Sequence, residues 1–327
     1  MQRLEYKDEM QGLAIFLVVL AHFLGPHTYG NSYPLVEIIS SCHMSFFFFL
    51  SGYINQKTNH IKDRGSLHYL KKKAQTLLIP FCFWSYVYSL FLSGKLPTDV
   101  EGWLEPLNIF PNMHLWFLPV LFVFFIIYLL ISTMRNFCTG GSRMVCYSIP
   151  VLTFIAAGLG THQYHLIIYA IYLSSFFLGD YLSWNERFRT YIMKDVLFGI
   201  VAVVLFIAWK IFPLSANGVA WRSMINIILT LICSFGMSIF CYNFFRKVTL
   251  PTFFKRCLQE MGKMSLVIYV TPFVLIPSSF HFPETFNETL INVISIIMSS
   301  AYVFLRYLWG MFIYQIPIVR FIMYGRK

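Results

Sequence analysis

The chain has 327 residues, of which 57% are apolar and 12% are charged, and its mean hydropathy is +0.64. Soluble domains carry about 25% charged residues, so this composition excludes a soluble globular protein, a disordered chain and a disulfide-rich secreted scaffold. Aromatic residues make up 19% of the chain, which is typical of lipid contact and membrane interfaces. The apolar runs are continuous rather than alternating, which predicts an all-α, polytopic bundle of transmembrane helices.

Ten segments are long and apolar enough to cross a bilayer, which takes about 20 residues. They are residues 11–27, 35–56, 74–93, 114–134, 145–160, 164–183, 195–213, 222–243, 264–280 and 289–313. A tight turn from Gly158 to His162 joins the fifth to the sixth. The first segment lacks the small-residue exit of a cleaved signal peptide. No soluble domain, linker or repeat stands out, so we expect residues 1–327 to form a single membrane domain.

The net charge of +11 indicates topology rather than a nucleic-acid partner. With the N-terminus inside, 21 of the 25 Lys and Arg residues fall in inner segments, and three fall in outer segments or at their edges. Arg306 lies within the last span. This distribution follows the positive-inside rule. It predicts that both termini are cytoplasmic and that the protein is a multi-pass protein of the cell (inner) membrane.

Neither the cysteines nor the known nucleotide motifs indicate a metal or a resident cofactor. The seven cysteines are scattered, without CxxC or Cys/His spacing, so thiols without a metal are expected. The P-loop and dinucleotide-binding patterns are absent. We therefore expect no metal and no bound cofactor.

Polar groups at membrane depth are costly, so each one is a candidate for a functional site. Three histidines lie at similar depth on the outer side: His22 in the first span, His43 in the second and His114 at the start of the fourth. A neutral imidazole can take the proton from a hydroxyl as that hydroxyl attacks an acyl carbon. The alternative for each is a structural histidine bonded to a neighbouring helix. Glu37 is six residues from His43, and the two face different sides of an ideal helix.

Lys71, Lys72 and Lys73 form a basic cluster directly before the third span, on the inner side. One explanation is topology together with contact to anionic lipid. The other is a dock for the phosphates of an anionic cytosolic donor. The residues alone leave both explanations open.

Five short blocks follow one another along the chain. They are residues 8–22 (DEMQGLAIFLVVLAH), 43–53 (HMSFFFFLSGY), 71–81 (KKKAQTLLIPF), 115–118 (LWFL) and 262–269 (GKMSLVIY). Together they resemble the motifs of the integral membrane acyltransferase family 3, and most closely those of its fucose 4-O-acetylase-like acetyltransferase branch. The ten predicted spans are similar in number to those of the family.

The resemblance implies an O-acyltransferase that moves an acyl group, usually acetyl, from cytosolic acetyl-CoA to a hydroxyl of a cell-surface or exported glycan. Such an acceptor is a polysaccharide, an O-antigen or a lipid-linked oligosaccharide. The resemblance implies that His22 is the catalytic base, and that His43 orients the acceptor or stabilises the developing oxyanion. Acyl-CoA would be a co-substrate, with its phosphates near Lys71, Lys72 and Lys73.

Two positions depart from the family pattern. Gln11 stands eleven residues before His22, where the family's first helix normally carries a basic residue. This donor-side position therefore keeps a side chain that can form hydrogen bonds but lacks the positive charge. The late block continues through Tyr269 to Pro272 without the histidine that usually follows it. In the second block, the pair Ser51 and Gly52 favours close helix packing over a catalytic role.

On the outer side, the resemblance places the acceptor near His114, Trp116 and Glu37. The indole of Trp116 could stack on a sugar ring. Its alternative role is that of an aromatic anchor at the membrane interface.

The main alternative function is a transporter or flippase for a glycan or lipid-linked sugar, which would share the spans and also lack an ATP motif. Transporters often contain paired broken helices in two repeated halves, and no such repeat is evident. A non-catalytic scaffold or receptor would not need His22 and His43 at matched depth. Consumption of acyl-CoA separates these possibilities.

Overall fold

The computed structural model describes residues 5–24, 34–57, 65–93, 115–134, 142–192, 200–201, 204, 219–271 and 287–325. All secondary structure in these residues is helical, which confirms the predicted all-α class. The helices are α1 (Glu5–Leu24), α2 (Pro34–Lys57), α3 (Ser66–Ser93), α4 (Phe117–Met134), α5 (Ser142–Gly160), α6 (Tyr164–Trp184), α7 (Glu186–Ile192), α8 (Val219–Lys247), α9 (Thr252–Lys263), α10 (Ser265–Val270), α11 (Glu288–Tyr314) and α12 (Pro317–Tyr324).

Several helices have the length and composition of membrane spans. Within the described residues, three stretches are long and apolar enough to cross a bilayer: His165–Trp184 in α6, Ile228–Lys247 in α8 and Thr289–Tyr314 in α11. Phe117–Ser132 in α4 and Val145–Gly160 in α5 are apolar but shorter. The seventh predicted span, residues 195–213, lies almost wholly outside the described residues. The count of ten spans and the cytoplasmic termini therefore stay predictions.

The structure adds helices where the sequence suggested only inner connections. These are α7, α9 and α12, of which α9 and α12 are amphipathic. All three are too short to cross a bilayer, and α9 and α12 each have one apolar face. In α9, Phe253 and Phe254 stay exposed while Gly262 is buried. A search for long apolar runs misses helices of this kind, because their apolar residues lie on one face rather than in one stretch.

The predicted ninth span begins as a short helix. A break at Met264 separates α9 from α10, and α10 ends at Val270. Thr271 is extended, with φ −69° and ψ 132°, as expected for a residue that precedes proline. The remainder of that span lies outside the described residues. The predicted turn at Gly158–His162 is confirmed between α5 and α6.

Helices α2 and α6 share the most extensive interface of the described helices. A Cβ atom at Gly52 would overlap the carbonyl oxygen of Phe176, and one at Gly179 would overlap that of Phe49. The two backbones are therefore in direct contact, which only glycine allows at these positions. The predicted packing role of Gly52 is confirmed.

Helix α1 is held against α9 in a similar way. A Cβ at Gly12 would overlap the backbone of α9, and one at Gly262 would overlap the backbone of α1. Between these contacts, Glu9 is 4% exposed. Its Oε1 accepts a hydrogen bond of 3.0 Å from Gln259 Nε2 and lies 3.9 Å from Lys255 Nζ. The amphipathic helix thus supplies the partners that a buried carboxylate needs.

A second buried carboxylate ties α5 to α6. Asp180 is fully buried, and Tyr147 Oη donates a 2.5 Å hydrogen bond to its Oδ2. The ring of Tyr147 stacks on Phe177 with a centroid distance of 4.7 Å. Asp180 directly follows Gly179, and its backbone nitrogen lies 3.2 Å from where a Cβ at Gly52 would be. The Tyr147 hydrogen bond therefore attaches α5 next to the α2–α6 contact.

We expect Gly52→Val to destabilise the protein, because the new side chain must push α6 away from α2. Overpacking of this kind costs about 1–3 kcal/mol. The measurement is the thermal unfolding midpoint of the purified protein in detergent. Gly160→Ala is the matched control, since a Cβ there meets nothing within 4 Å. Equal midpoints for the two variants would contradict the close crossing.

Candidate active site

A cavity of about 280 Å³ lies among α1, α2, α3, α4 and α10; we call it the central cavity. Along α2 its lining extends from Met44 to Asn55. Eleven residues of α-helix rise about 16 Å, so the central cavity is long relative to its volume. We call the end near Asn55 the inner end, because the charge distribution predicts cytoplasm on that side.

The inner end is polar and the opposite end is apolar. Gln11 of α1, Asn55 of α2, and Lys73 and Thr76 of α3 line the inner end. The hydroxyl of Thr76 donates within its own helix, at 3.0 Å to the carbonyl of Lys72.

Apolar side chains dominate the other end. These residues are Met44 and Phe47 of α2 together with Phe117 and Leu118 of α4. A ligand that fills this space would have a polar or charged part at the inner end and an apolar part beyond it.

The three lysines of the basic cluster separate once they are placed on a helix. Successive residues are 100° apart, and Lys71 and Lys72 are exposed whereas Lys73 lines the central cavity. The Lys73 ammonium lies 3.7 Å from the ring centroid of Phe125 and 5.4 Å from that of Tyr69. These are cation–π contacts. Within the described residues, no ion pair joins a carboxylate to Lys73.

His43 has a defined tautomer when it is neutral. Its Nδ1 lies 2.6 Å from the carbonyl oxygen of Ile39. A carbonyl can only accept, so Nδ1 carries the proton and Nε2 presents a lone pair. His43 directly precedes Met44 and lies one turn from Phe47, both of which line the apolar end.

His22 lies near the level of Ile39, one helical turn from His43. It is half-buried in the last turn of α1, between Leu20 and Leu24. These two leucines pack in one cluster with Ile39, whose carbonyl holds His43. The last turn of α1 therefore packs near Ile39, which lies one turn, about 6 Å, from His43 along α2.

The central cavity does not extend to either imidazole. Gln11 and His22 lie about 20° apart around α1 and about 16 Å apart along it. Ile15 and Val18 occupy the same face between them and are fully buried. In this structure the apolar core closes the path from Gln11 to His22.

The acceptor side is described only in part. His114 lies outside the described residues, and the same is true of the side chain of Glu37 in α2. Trp116 precedes α4, is half-buried and stacks on Tyr172 with a centroid distance of 5.5 Å. Tyr169 lies 5.8 Å away. Trp116 thus belongs to an aromatic cluster, and its role towards a glycan stays a prediction.

Sequence reasoning missed several uncharged polar residues that line the central cavity. It named Gln11, and it assigned Ser51 to helix packing, but it did not single out Asn55, Thr76 or Ser265, all of which line the cavity. The available signal was the position of Asn55 near the inner end of a span, since an amide at that depth needs hydrogen bonds. Across the described residues, no group of His, Cys, Asp and Glu is arranged to hold a metal, and no cysteine forms a disulfide.

Comparison with known proteins identifies a family. The profile of the acyltransferase domain that defines acyltransferase family 3 matches residues 5–314. No curated protein and no solved structure matches the chain. The matched range includes the central cavity, His22 and His43.

We expect a cysteine at position 51 to react faster with a small charged thiol reagent than a cysteine at position 45. Ser51 is half-buried and lines the central cavity, whereas Ser45 on the same helix is fully buried. The measurement is the labelling rate of Ser51→Cys and Ser45→Cys in a chain whose seven native cysteines are replaced by alanine. Equal rates would mean that water does not reach the central cavity.

Proposed function

The chain belongs to acyltransferase family 3 and is a membrane acyltransferase, and we propose that it transfers a short acyl group, in the simplest case acetyl, from cytoplasmic acyl-CoA to a glycan hydroxyl. The glycan is a polysaccharide, an O-antigen or a lipid-linked oligosaccharide, and the enzyme acts in the cell (inner) membrane as a member of the fucose 4-O-acetylase-like branch. The observation that carries the proposal is Lys73, a cation in an elongated cavity with aromatic neighbours and no paired carboxylate among the described residues.

The shape and polarity of the central cavity support an acyl-CoA donor. Acyl-CoA has phosphates at one end and a thioester at the other, joined by a long narrow arm. Lys73 suits a phosphate as a point charge, and the exposed Lys71 and Lys72 extend the positive charge outward. The arm and the short acyl group suit the apolar end. The reaction requires that the apolar core between the central cavity and His22, which Ile15 and Val18 close in this structure, opens when the donor binds.

The reaction needs a base and a positioned acceptor. The acceptor hydroxyl gives its proton to the imidazole of His22 as its oxygen attacks the thioester carbonyl carbon. The carbon–sulfur bond then breaks, and the leaving CoA sulfur takes the proton from His22. The lone pair on Nε2 of neutral His43 can accept a hydrogen bond from the acceptor hydroxyl. This geometry supports orientation of the acceptor for His43 rather than stabilisation of an oxyanion.

The test of the proposed function is transfer of label from acetyl-CoA to a glycan by the purified protein, with mass analysis of the product for one added acyl group. His22→Ala should reduce turnover by at least about 100-fold, the usual contribution of a general base, with an unchanged unfolding midpoint. Full transfer by His22→Ala would overturn the assignment of the base. Passage of the glycan across vesicle membranes without consumption of acetyl-CoA would overturn the proposal in favour of a transporter.

We expect Lys73→Met to raise the KM for acetyl-CoA by about tenfold or more, because a hydrogen bond to a charged group is worth about 1.5–3 kcal/mol. Lys71→Met should have a smaller effect, since exposed charges contribute about 0–1 kcal/mol. Lys247→Met, at the exposed end of α8, is the control for loss of one surface charge. A KM for Lys73→Met equal to that of Lys247→Met would place the phosphates elsewhere.

A further inference from the structure

One hydrogen bond at the inner end of the central cavity joins α2 to α3. Asn55 lines the central cavity and is 2% exposed, and Tyr69 is 7% exposed. Tyr69 Oη donates to Asn55 Oδ1 at 2.7 Å. The bond is buried, so water does not compete for it.

This bond determines which part of the Asn55 amide a ligand can use. An asparagine side chain is planar, with an acceptor oxygen on one side and an NH₂ donor on the other. Because Oδ1 accepts from Tyr69, the orientation of the amide is fixed, and Nδ2 is the side that carries its hydrogen-bond donors. A donor of this kind recognises a carbonyl oxygen.

Tyr69 also positions the nearby cation. Lys73 lies one turn further along α3, with its ammonium 5.4 Å from the Tyr69 ring, and the Tyr69 ring meets that of Phe125 edge to face at 6.3 Å. One phenol therefore sets Asn55 through its hydroxyl and supports Lys73 through its ring. The two donors lie at the same end of the central cavity.

We propose that Asn55 is a donor-binding residue whose Nδ2 donates to an amide carbonyl of the acyl-thioester arm, and that Tyr69 is the residue that positions it. The proposal rests on the proposed acyl-CoA donor. The arm of acyl-CoA contains amide carbonyls between its phosphates and its thioester. With Lys73 paired to a phosphate and Asn55 donating to an amide carbonyl, the inner end binds both the charged part and the arm of the donor.

The test compares the KM and kcat for acetyl-CoA in three variants and in the double variant. Asn55→Leu should raise KM about tenfold with kcat changed less than about threefold, as expected for one lost hydrogen bond together with its partner's desolvation. Tyr69→Phe keeps the ring beside Lys73 and should raise KM by about threefold. In the double variant the effect of Tyr69→Phe should vanish, because the hydroxyl acts through Asn55.

Tyr147→Phe is the matched control, since it removes a buried tyrosine hydrogen bond, to Asp180, that does not line the central cavity. It should lower the unfolding midpoint without changing KM. If Asn55→Leu and Tyr69→Phe also lower the midpoint without changing KM, their role is structural and the proposal is overturned. If Asn55→Leu does not fold, an unchanged KM for Tyr69→Phe overturns it.

The wild-type protein separates this inference from the proposed function. If it consumes no acetyl-CoA with any glycan, the proposed function fails first. If it turns over acetyl-CoA and the KM values of the Asn55 and Tyr69 variants match that of the wild type, only the assignment of Asn55 fails.

Discussion

Backbone contact between α2 and α6 sets the rotation of α2, and the central cavity depends on that rotation. A side chain at Gly52 or Gly179 would overlap a carbonyl oxygen of the other helix, so the two helices meet along one pair of faces. Met44, Phe47 and Ser51 lie on another side of α2 and line the central cavity. A slip by one residue would turn α2 by 100° and remove this lining.

The same device recurs beside other polar residues of the central cavity. Gln11 adjoins Gly12, which touches the backbone of α9, and Thr76 adjoins Gln75, whose carbonyl meets Gly325. Gly325 has φ 59°, which glycine adopts without strain. A ligand site is more exact when its side chains stand on rigid elements. The chain meets this condition by placing a backbone contact next to Gln11, next to Ser51 and next to Thr76.

The sequence allowed the helical class and the polar candidates to be predicted, because both follow from composition and from the cost of burying polar groups. It grouped Lys71, Lys72 and Lys73 as one basic cluster and did not show that Lys73 is the one that faces the cavity, since that depends on the rotation of α3. The role of Asn55 was hidden for a related reason. An amide near the end of a span can face lipid headgroups, a neighbouring helix or a cavity, and only the position of Tyr69 decides between them.

The inner end of the central cavity is lined by one basic side chain and by neutral polar groups. Gln11 of α1 lines the central cavity as a neutral amide, and Lys73 of α3 lines the same cavity. A neutral amide at position 11 adds no further positive charge to the cavity that Lys73 lines.

Two buried carboxylates among the described residues, Glu9 and Asp180, are engaged by other groups. Glu9 turns to Gln259 and Lys255 of α9, and Asp180 accepts from Tyr147 of α5. Neither carboxylate forms an ion pair with Lys73. Lys73 contacts the faces of aromatic rings rather than a carboxylate. A cation with such neighbours favours an anionic ligand, because a carboxylate beside it would have neutralised its charge. Most of the positive charge of the chain is explained by membrane topology. At Lys73 the charge also supports the proposed binding of an anionic donor.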